Sequence, residues 1–109
     1  MNWLSKFFTG KAAPPQAPAY DENALIIDIR TPGEFASGHV DGALNLPMDK
    51  FGKNYAKLVP DRGRQVIVYC QSGVRSVHAS QFLKLQRYVN VINGGTAEAV
   101  ASTLHRKIV

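Results

Sequence analysis

The feature that most constrains this chain is a series of short apolar runs, rich in branched residues, set between stretches with the period of a helix. Ala24-Leu25-Ile26-Ile27-Asp28-Ile29 is almost continuously apolar, and Gln65 to Tyr69 repeats the pattern. Strands that read this way are buried on both faces, as in parallel sheets. Gly42-Ala43-Leu44-Asn45-Leu46-Pro47 reads as a short strand closed by proline, and Val89-Asn90-Val91-Ile92 as another, with a turn at Asn93-Gly94-Gly95. The intervening segments read as helices. Thr31 can cap one, Pro32 suits its first position and Glu34 can close a capping box, with the helix ending by Gly38. Met48 to Asp61 is predicted helical, with Phe51, Tyr55 and Leu58 along one face and a turn at Pro60-Asp61-Arg62-Gly63. From Val74 to Tyr88 the period is again helical, and Val74, Val77, Phe82, Leu85 and Tyr88 fall within an arc of ~140°. Thr96 to His105 is the last helix, with Val100 and Leu104 turned inward. Strands alternating with helices predict an α/β fold, a central mostly parallel sheet with helices on both faces. In such sheets ligands collect beyond the carboxyl ends of the strands. Cys70 stands at the end of one predicted strand and Arg30 just past another.

The chain has 109 residues, of which 45% are hydrophobic. That suits one globular domain. We read residues 1–20 as a flexible leader with a proline-rich linker, and 21–109 as the folded domain. The leader has two readings. One is a disordered tail. The other is a short helix with Trp3, Leu4, Phe7 and Phe8 on one face, bringing residues 1–11 into weak contact with a membrane surface or a partner. No run approaches the ~18 apolar residues of a membrane span. The net charge of +5 favours anionic ligands. The basic residues are scattered and not interleaved with aromatics, which argues against nucleic acid. The single cysteine excludes an intrachain disulfide and a multi-cysteine zinc site. We expect no metal and no cofactor, a monomer, and a cytoplasmic protein whose thiol stays reduced.

That cysteine lies in Val66-Ile67-Val68-Tyr69-Cys70-Gln71-Ser72-Gly73-Val74-Arg75-Ser76. The residues after it must turn the chain from strand into helix. A loop curling around its first side chain aims main-chain N–H groups at the sulfur, and such a nest binds anions. The following helix adds its positive amino end. Both favour thiolate over thiol, so the pKa is expected below the free value of ~8.5. A thiolate on a rigid cradle is a nucleophile. Buried cysteines are often inert, but an inert one would more often sit within the apolar run than at its polar edge.

Cys70-Gln71-Ser72-Gly73-Val74-Arg75-Ser76 resembles the active-site loop of the rhodanese family. A second block agrees: Asp28-Ile29-Arg30, Glu34-Phe35, Gly38-His39-Val40, Gly42-Ala43 and Asn45-Leu46-Pro47 match that family's amino-terminal signature, and Asn93-Gly94-Gly95 its terminal turn. The resemblance is greatest to small single-domain bacterial rhodaneses of the phage-shock type. It implies a rhodanese-like three-layer sandwich and a ping-pong sulfur transfer. Cys70 would take sulfane sulfur from a donor such as thiosulfate, become a persulfide, and pass the sulfur to cyanide, a thiol or a dithiol protein. By the same resemblance, main-chain N–H groups from Gln71 through Ser72, Gly73, Val74 and Arg75 to Ser76 would cradle the persulfide. Ser76 would offer its hydroxyl, and Arg75 would hold the loop or meet an anionic donor. Asp28 and Arg30 would line or brace the pocket as an ion pair. Glu34 is better explained by its cap, His39 as a hydrogen-bonding turn residue and His78 as a core histidine. His105 is expected to be exposed. Thr96-Ala97 stand where the family often carries a tryptophan, so a thinner wall is expected there. The neutral Gln71 and Ser72 replace basic residues seen in some rhodaneses, and the acceptor thiol must come from outside.

Two other functions fit parts of this pattern. Cysteine-loop phosphatases and arsenate reductases place one more residue between cysteine and arginine, a wider ring for a tetrahedral oxyanion. A non-catalytic rhodanese module could bind a partner or sense oxidants through the same thiol.

Overall fold

The computed structural model describes residues 19–109; the predicted leader helix and most of the proline-rich linker lie outside the described residues. Four parallel strands, β1 (Leu25–Asp28), β2 (Leu44–Asn45), β3 (Val66–Cys70) and β4 (Val91–Thr96), form one sheet in the order β2-β1-β3-β4. Four helices connect or follow them: α1 (Pro32–Ala36), α2 (Met48–Leu58), α3 (Val74–Leu85) and α4 (Ala97–Leu104). The α/β reading therefore holds in its element order.

Alternation along the strands explains the apolar runs. Ile27 of β1 and Ile29 just beyond it, with Val66, Val68 and Cys70 of β3, pack on one face against Phe51 of α2 and Ala79 and Leu83 of α3. Ile26, Ile67 and Tyr69 face the other way, against Val100 and Ala101 of α4, with Phe35 of α1 alongside. Successive side chains point to opposite faces, and both faces are covered, so every residue of β3 is buried. Three layers result. Burial of this kind contributes roughly 1.5–3 kcal/mol per large side chain, and it holds the carboxyl ends of β1 and β3 side by side in register, Asp28 opposite Tyr69. Ala19 accepts a hydrogen bond from the Gln65 side chain and Tyr20 packs on the second cluster, so the chain joins the fold there.

Two local expectations need correction. The apolar arc proposed for α3 is not its inner face. Val74 is 63% and Leu85 80% exposed, while Ser76, Ala79, Ser80 and Leu83 are buried. The helix lies close to the sheet through small side chains, because its first turn is tied to the Cys70 loop. Leu85 falls near the end of the helix, where the chain is leaving the sheet. Tyr88 and Phe82 do reach the core. His78 is accordingly exposed, not a core histidine. The second correction concerns Asn93-Gly94-Gly95, which is strand and not turn. It continues β4, with a register shift opposite Val68 and Tyr69 and a positive φ of 85° at Gly95.

Candidate active site

The chain runs from β1 out to the edge strand β2 and returns to β3 on β1's other side, so the sheet order reverses between β1 and β3. The carboxyl ends of strands at such a point flank a natural crevice. Cys70 ends β3 there. Gly73, the residue before α3, has φ 86°, a left-handed conformation that glycine adopts without steric cost. This turns its N–H back onto Cys70 Sγ at 2.9 Å. The Ser76 hydroxyl, buried in the first turn of α3, lies 3.5 Å from the same sulfur. Burial pushes the Cys70 thiol up. The Ser76 hydroxyl and the amides of Ser76, Ser72 and Gly73 pull it down, and the balance lies below the ordinary thiol value. These groups stabilise an anion on sulfur by hydrogen bonds to the charged form. No charged side chain is needed for the effect.

The loop is braced from two sides. Asp28 is fully buried and Arg30 nearly so. Arg30 Nε donates to both Asp28 carboxylate oxygens at 2.9 and 3.0 Å, and Nη2 donates to Asp28 Oδ2 and to the Gly38 carbonyl, each at 2.6 Å. Its guanidinium sits 5.5 Å from the Tyr69 ring centroid. The hydrogen bond to Asp28 holds the Arg30 pKa above its ordinary value against the opposing effect of burial. Only Nη1 is left to reach the loop, 3.5 Å from Gln71 Oε1. Tyr69 accepts the Val40 N–H, and burial pushes its phenol well above the usual value. Asn45, at the end of β2, donates to the carbonyls of Asp28 and Arg30 at 3.0 Å each, fixing that segment. On the other side Gly73 lies against Gly95, and a Cβ on Gly73 would stand 3.4 Å from the Gly95 Cα. The bulge of β4 thus shapes the back of the loop.

The structure brings Cys70, Gly73 and Ser76 together, while Asp28 and Arg30 lie at the neighbouring end of β1 beside Tyr69 and meet the loop through the long Arg30–Gln71 contact. Gln71, Ser72 and Val74 face solvent around the mouth. Arg75 points along the surface, its Nη2 3.8 Å from Glu34 Oε1, and lines a cleft of about 310 Å³ with Ile29, Thr31, Pro47, Met48 and Asp49. Glu34 closes the expected capping box with Thr31. The Thr31 N–H holds the Glu34 carboxyl below its ordinary value. His39 bonds the Phe35 carbonyl through Nδ1 at 2.8 Å, the turn role expected of it. Thr96 caps α4 and Ala97 is buried against the core. Asn45 and Asn93 gain side-chain roles that the sequence motifs do not reveal. Asn93 Oδ1 is 2.6 Å from the Ser76 hydroxyl. Its sequence cue is the Asn93-Gly94-Gly95 motif, which says nothing of its side chain. Among the described residues no cluster of side chains fit to hold a metal ion occurs, and no helix is long and apolar enough to cross a membrane.

An α/β sheet that presents a cradled cysteine at its switch point is the frame of a sulfur- or phosphoryl-transferring domain. The profile of the rhodanese-like domain family matches residues 16–102, and the chain belongs to that family. A sulfurtransferase of Allochromatium vinosum is 41% identical over 78 residues, covering 72% of this chain and 71% of that protein. The thiosulfate sulfurtransferase PspE of Escherichia coli is 36% identical over 75 residues, covering 69% and 72%. A solved Escherichia coli rhodanese with anions superposes with a TM-score of 0.68 at 35% identity, covering 72% of this chain and 92% of that one. A tRNA uridine(34) hydroxylase of Erwinia tasmaniensis is 34% identical over 94 residues, but the match spans only 27% of its length.

Proposed function

We propose that this chain is a thiosulfate sulfurtransferase that carries sulfane sulfur on Cys70. The observation that carries the reading is the sulfur at the switch point with the Gly73 N–H at 2.9 Å and a thiol pKa drawn down by neighbouring amides and a hydroxyl. The Cys70 thiolate attacks the outer sulfur of thiosulfate. The S–S bond of the donor breaks, sulfite leaves with the electron pair, and Cys70 holds a terminal S⁻. An acceptor thiolate or cyanide then attacks that outer sulfur, and Cys70 leaves as thiolate, ready for another donor. The cradle suits both anionic states, so neither step needs a separate base. Gln71, Ser72, Val74 and Arg75 form the rim that meets the donor, and Arg75 can leave its long contact with Glu34 for a sulfonate. Asp28 and Arg30 brace the loop. With four residues between Cys70 and Arg75 the ring is tight for a phosphoryl oxyanion. The sole cysteine makes the acceptor a second molecule, and a reduced compartment such as the cytoplasm keeps the thiol available.

Intact-mass spectrometry tests this. Incubation with thiosulfate should add one sulfur atom, cyanide should remove it as thiocyanate, and Cys70→Ala should take up none. If no sulfane donor loads Cys70 while hydrogen peroxide oxidises it readily, the protein is a redox sensor and the proposal fails.

A further inference from the structure

The Ser76 hydroxyl has one proton and three neighbours that could take it. Asn93 Oδ1 lies at 2.6 Å, the Gly73 carbonyl at 3.0 Å and Cys70 Sγ at 3.5 Å. The Gly95 N–H points at the same Asn93 oxygen from 3.1 Å. That fixed main-chain donor identifies the atom as the amide oxygen, because an NH₂ there could not accept from the Gly95 N–H. The short contact to Ser76 is therefore an O–H donated to Asn93. With its proton committed, Ser76 can only accept from Cys70, so in the neutral state the thiol donates to Ser76 and Ser76 to Asn93. When the thiol proton passes to water, the Ser76 lone pairs would face a thiolate. The hydroxyl must then turn from Asn93 to the sulfur.

We propose that Asn93 is a positioning residue that competes with the Cys70 sulfur for the Ser76 proton, so that the hydroxyl serves the sulfur only when the sulfur is anionic. The inference rests on the sulfurtransferase reading only for its use: the same turn would follow the sulfur through thiolate and persulfide and let go of a neutral thiol. Asn93 itself is exposed at the rim, so its side chain can be changed with little demand on the core. The charged groups around the sulfur stay the same. β1 supplies the joined pair Asp28 and Arg30. Arg75 of α3 faces Glu34 of α1. Asp49 of α2 lines the cleft beside Arg75. His78 of α3 and Glu98 of α4 are exposed. On β3, Tyr69 belongs to the opposite face of the sheet.

The test reads the thiol, not sulfur transfer: the pH dependence of Cys70 alkylation by iodoacetamide, with circular dichroism to check folding. Asn93→Leu is close in size and accepts no hydrogen bond, leaving the Gly73 carbonyl at 3.0 Å as the remaining protein rival for the Ser76 proton. It should move the alkylation midpoint to lower pH, with about threefold more thiolate below the midpoint, the size expected for loss of one competing neutral hydrogen bond. In a Ser76→Ala background the same substitution should move nothing. Asn93→Asp keeps the Gly95 contact and is a stronger acceptor, so the midpoint should rise, and rise less once Ser76 is Ala. A midpoint that stays or rises in Asn93→Leu would overturn the proposal. If that variant does not fold, an Asn93→Asp shift of equal size with and without Ser76 would overturn it as pure charge repulsion. Either result leaves sulfur loading of Cys70 in the parent chain untouched.

Discussion

Replacing Arg30 by Met should cost this domain about 3–5 kcal/mol, the cost of leaving one partner of a buried ion pair behind. The estimate follows from the contacts. Asp28 is fully buried and loses three side-chain bonds of 2.6–3.0 Å. It keeps the Arg30 backbone N–H at 2.9 Å, but no countercharge. The Gly38 carbonyl also loses its donor. Thermal unfolding should register a fall in Tm of more than ~12 °C, at ~4 °C or more per kcal/mol for a domain this size. Asp28→Asn combined with Arg30→Met removes both charges while retaining an acceptor for the backbone N–H. The pair should cost at least ~2 kcal/mol less than the two single changes added together. Urea unfolding of the four proteins measures this. The same variants separate bracing from substrate binding. Arg30 has two of its three nitrogens committed to Asp28 and Gly38, so kcat/KM for thiosulfate in Arg30→Met, taken where the protein is folded, should fall less than tenfold. Loss of a direct charge-assisted bond to the donor would cost roughly 1.5–3 kcal/mol, more than tenfold. A stability loss under ~1 kcal/mol, or additive single changes, would refute the ion-pair argument. A large kinetic loss in a stable variant would make Arg30 a substrate ligand.

Three further outcomes follow from the geometry. Gly94→Ala would put a Cβ 2.4 Å from Val100 Cγ2 and 3.0 Å from Ile67 Cγ2, so urea unfolding should show a loss of about 1–3 kcal/mol or more from overpacking; Gly95→Ala meets no atom but keeps φ 85° and should lose only about 1–2 kcal/mol. Because the folded Cys70 pKa lies below its unfolded value, its contribution is complete above the ordinary thiol pKa of ~8.5 and is lost as pH falls through the folded value. Stability relative to Cys70→Ser should therefore rise with pH across that window, and parallel curves in urea would contradict the cradle. Leu85→Gln, at an 80% exposed position, should change stability by less than ~0.5 kcal/mol; a loss of several times that would restore the apolar arc first expected for α3.

The parts of this fold that could be read ahead are those where a local rule and the tertiary environment agree. The runs at β1 and β3 are apolar because both sheet faces are covered, and the Thr31 capping box is satisfied within four residues whatever surrounds it. The parts that could not be read are those where the site overrides the local rule. Helix α3 has apolar residues at the right spacing for a buried stripe. Yet its first turn is fixed by Gly73 and Ser76 closing on Cys70, and that rotation sets which side meets the sheet for the turns that follow. The small residues Ser76, Ala79 and Ser80 are therefore inside, and Val74 is outside at the mouth. The glycines of β4 show the same priority. A pair of glycines after a strand ordinarily announces a turn, but here Gly94 is needed because α4 lies on top of it, and Gly95 because the strand must bulge past Gly73. Asn93 was legible only as punctuation, since its partner Ser76 lies 17 residues away and no periodicity links the two. The nucleophile and the groups that draw its pKa down, Gly73 and Ser76 among them, share one motif, while Asn93, which holds the Ser76 hydroxyl, sits in the other, spelled as an ordinary turn.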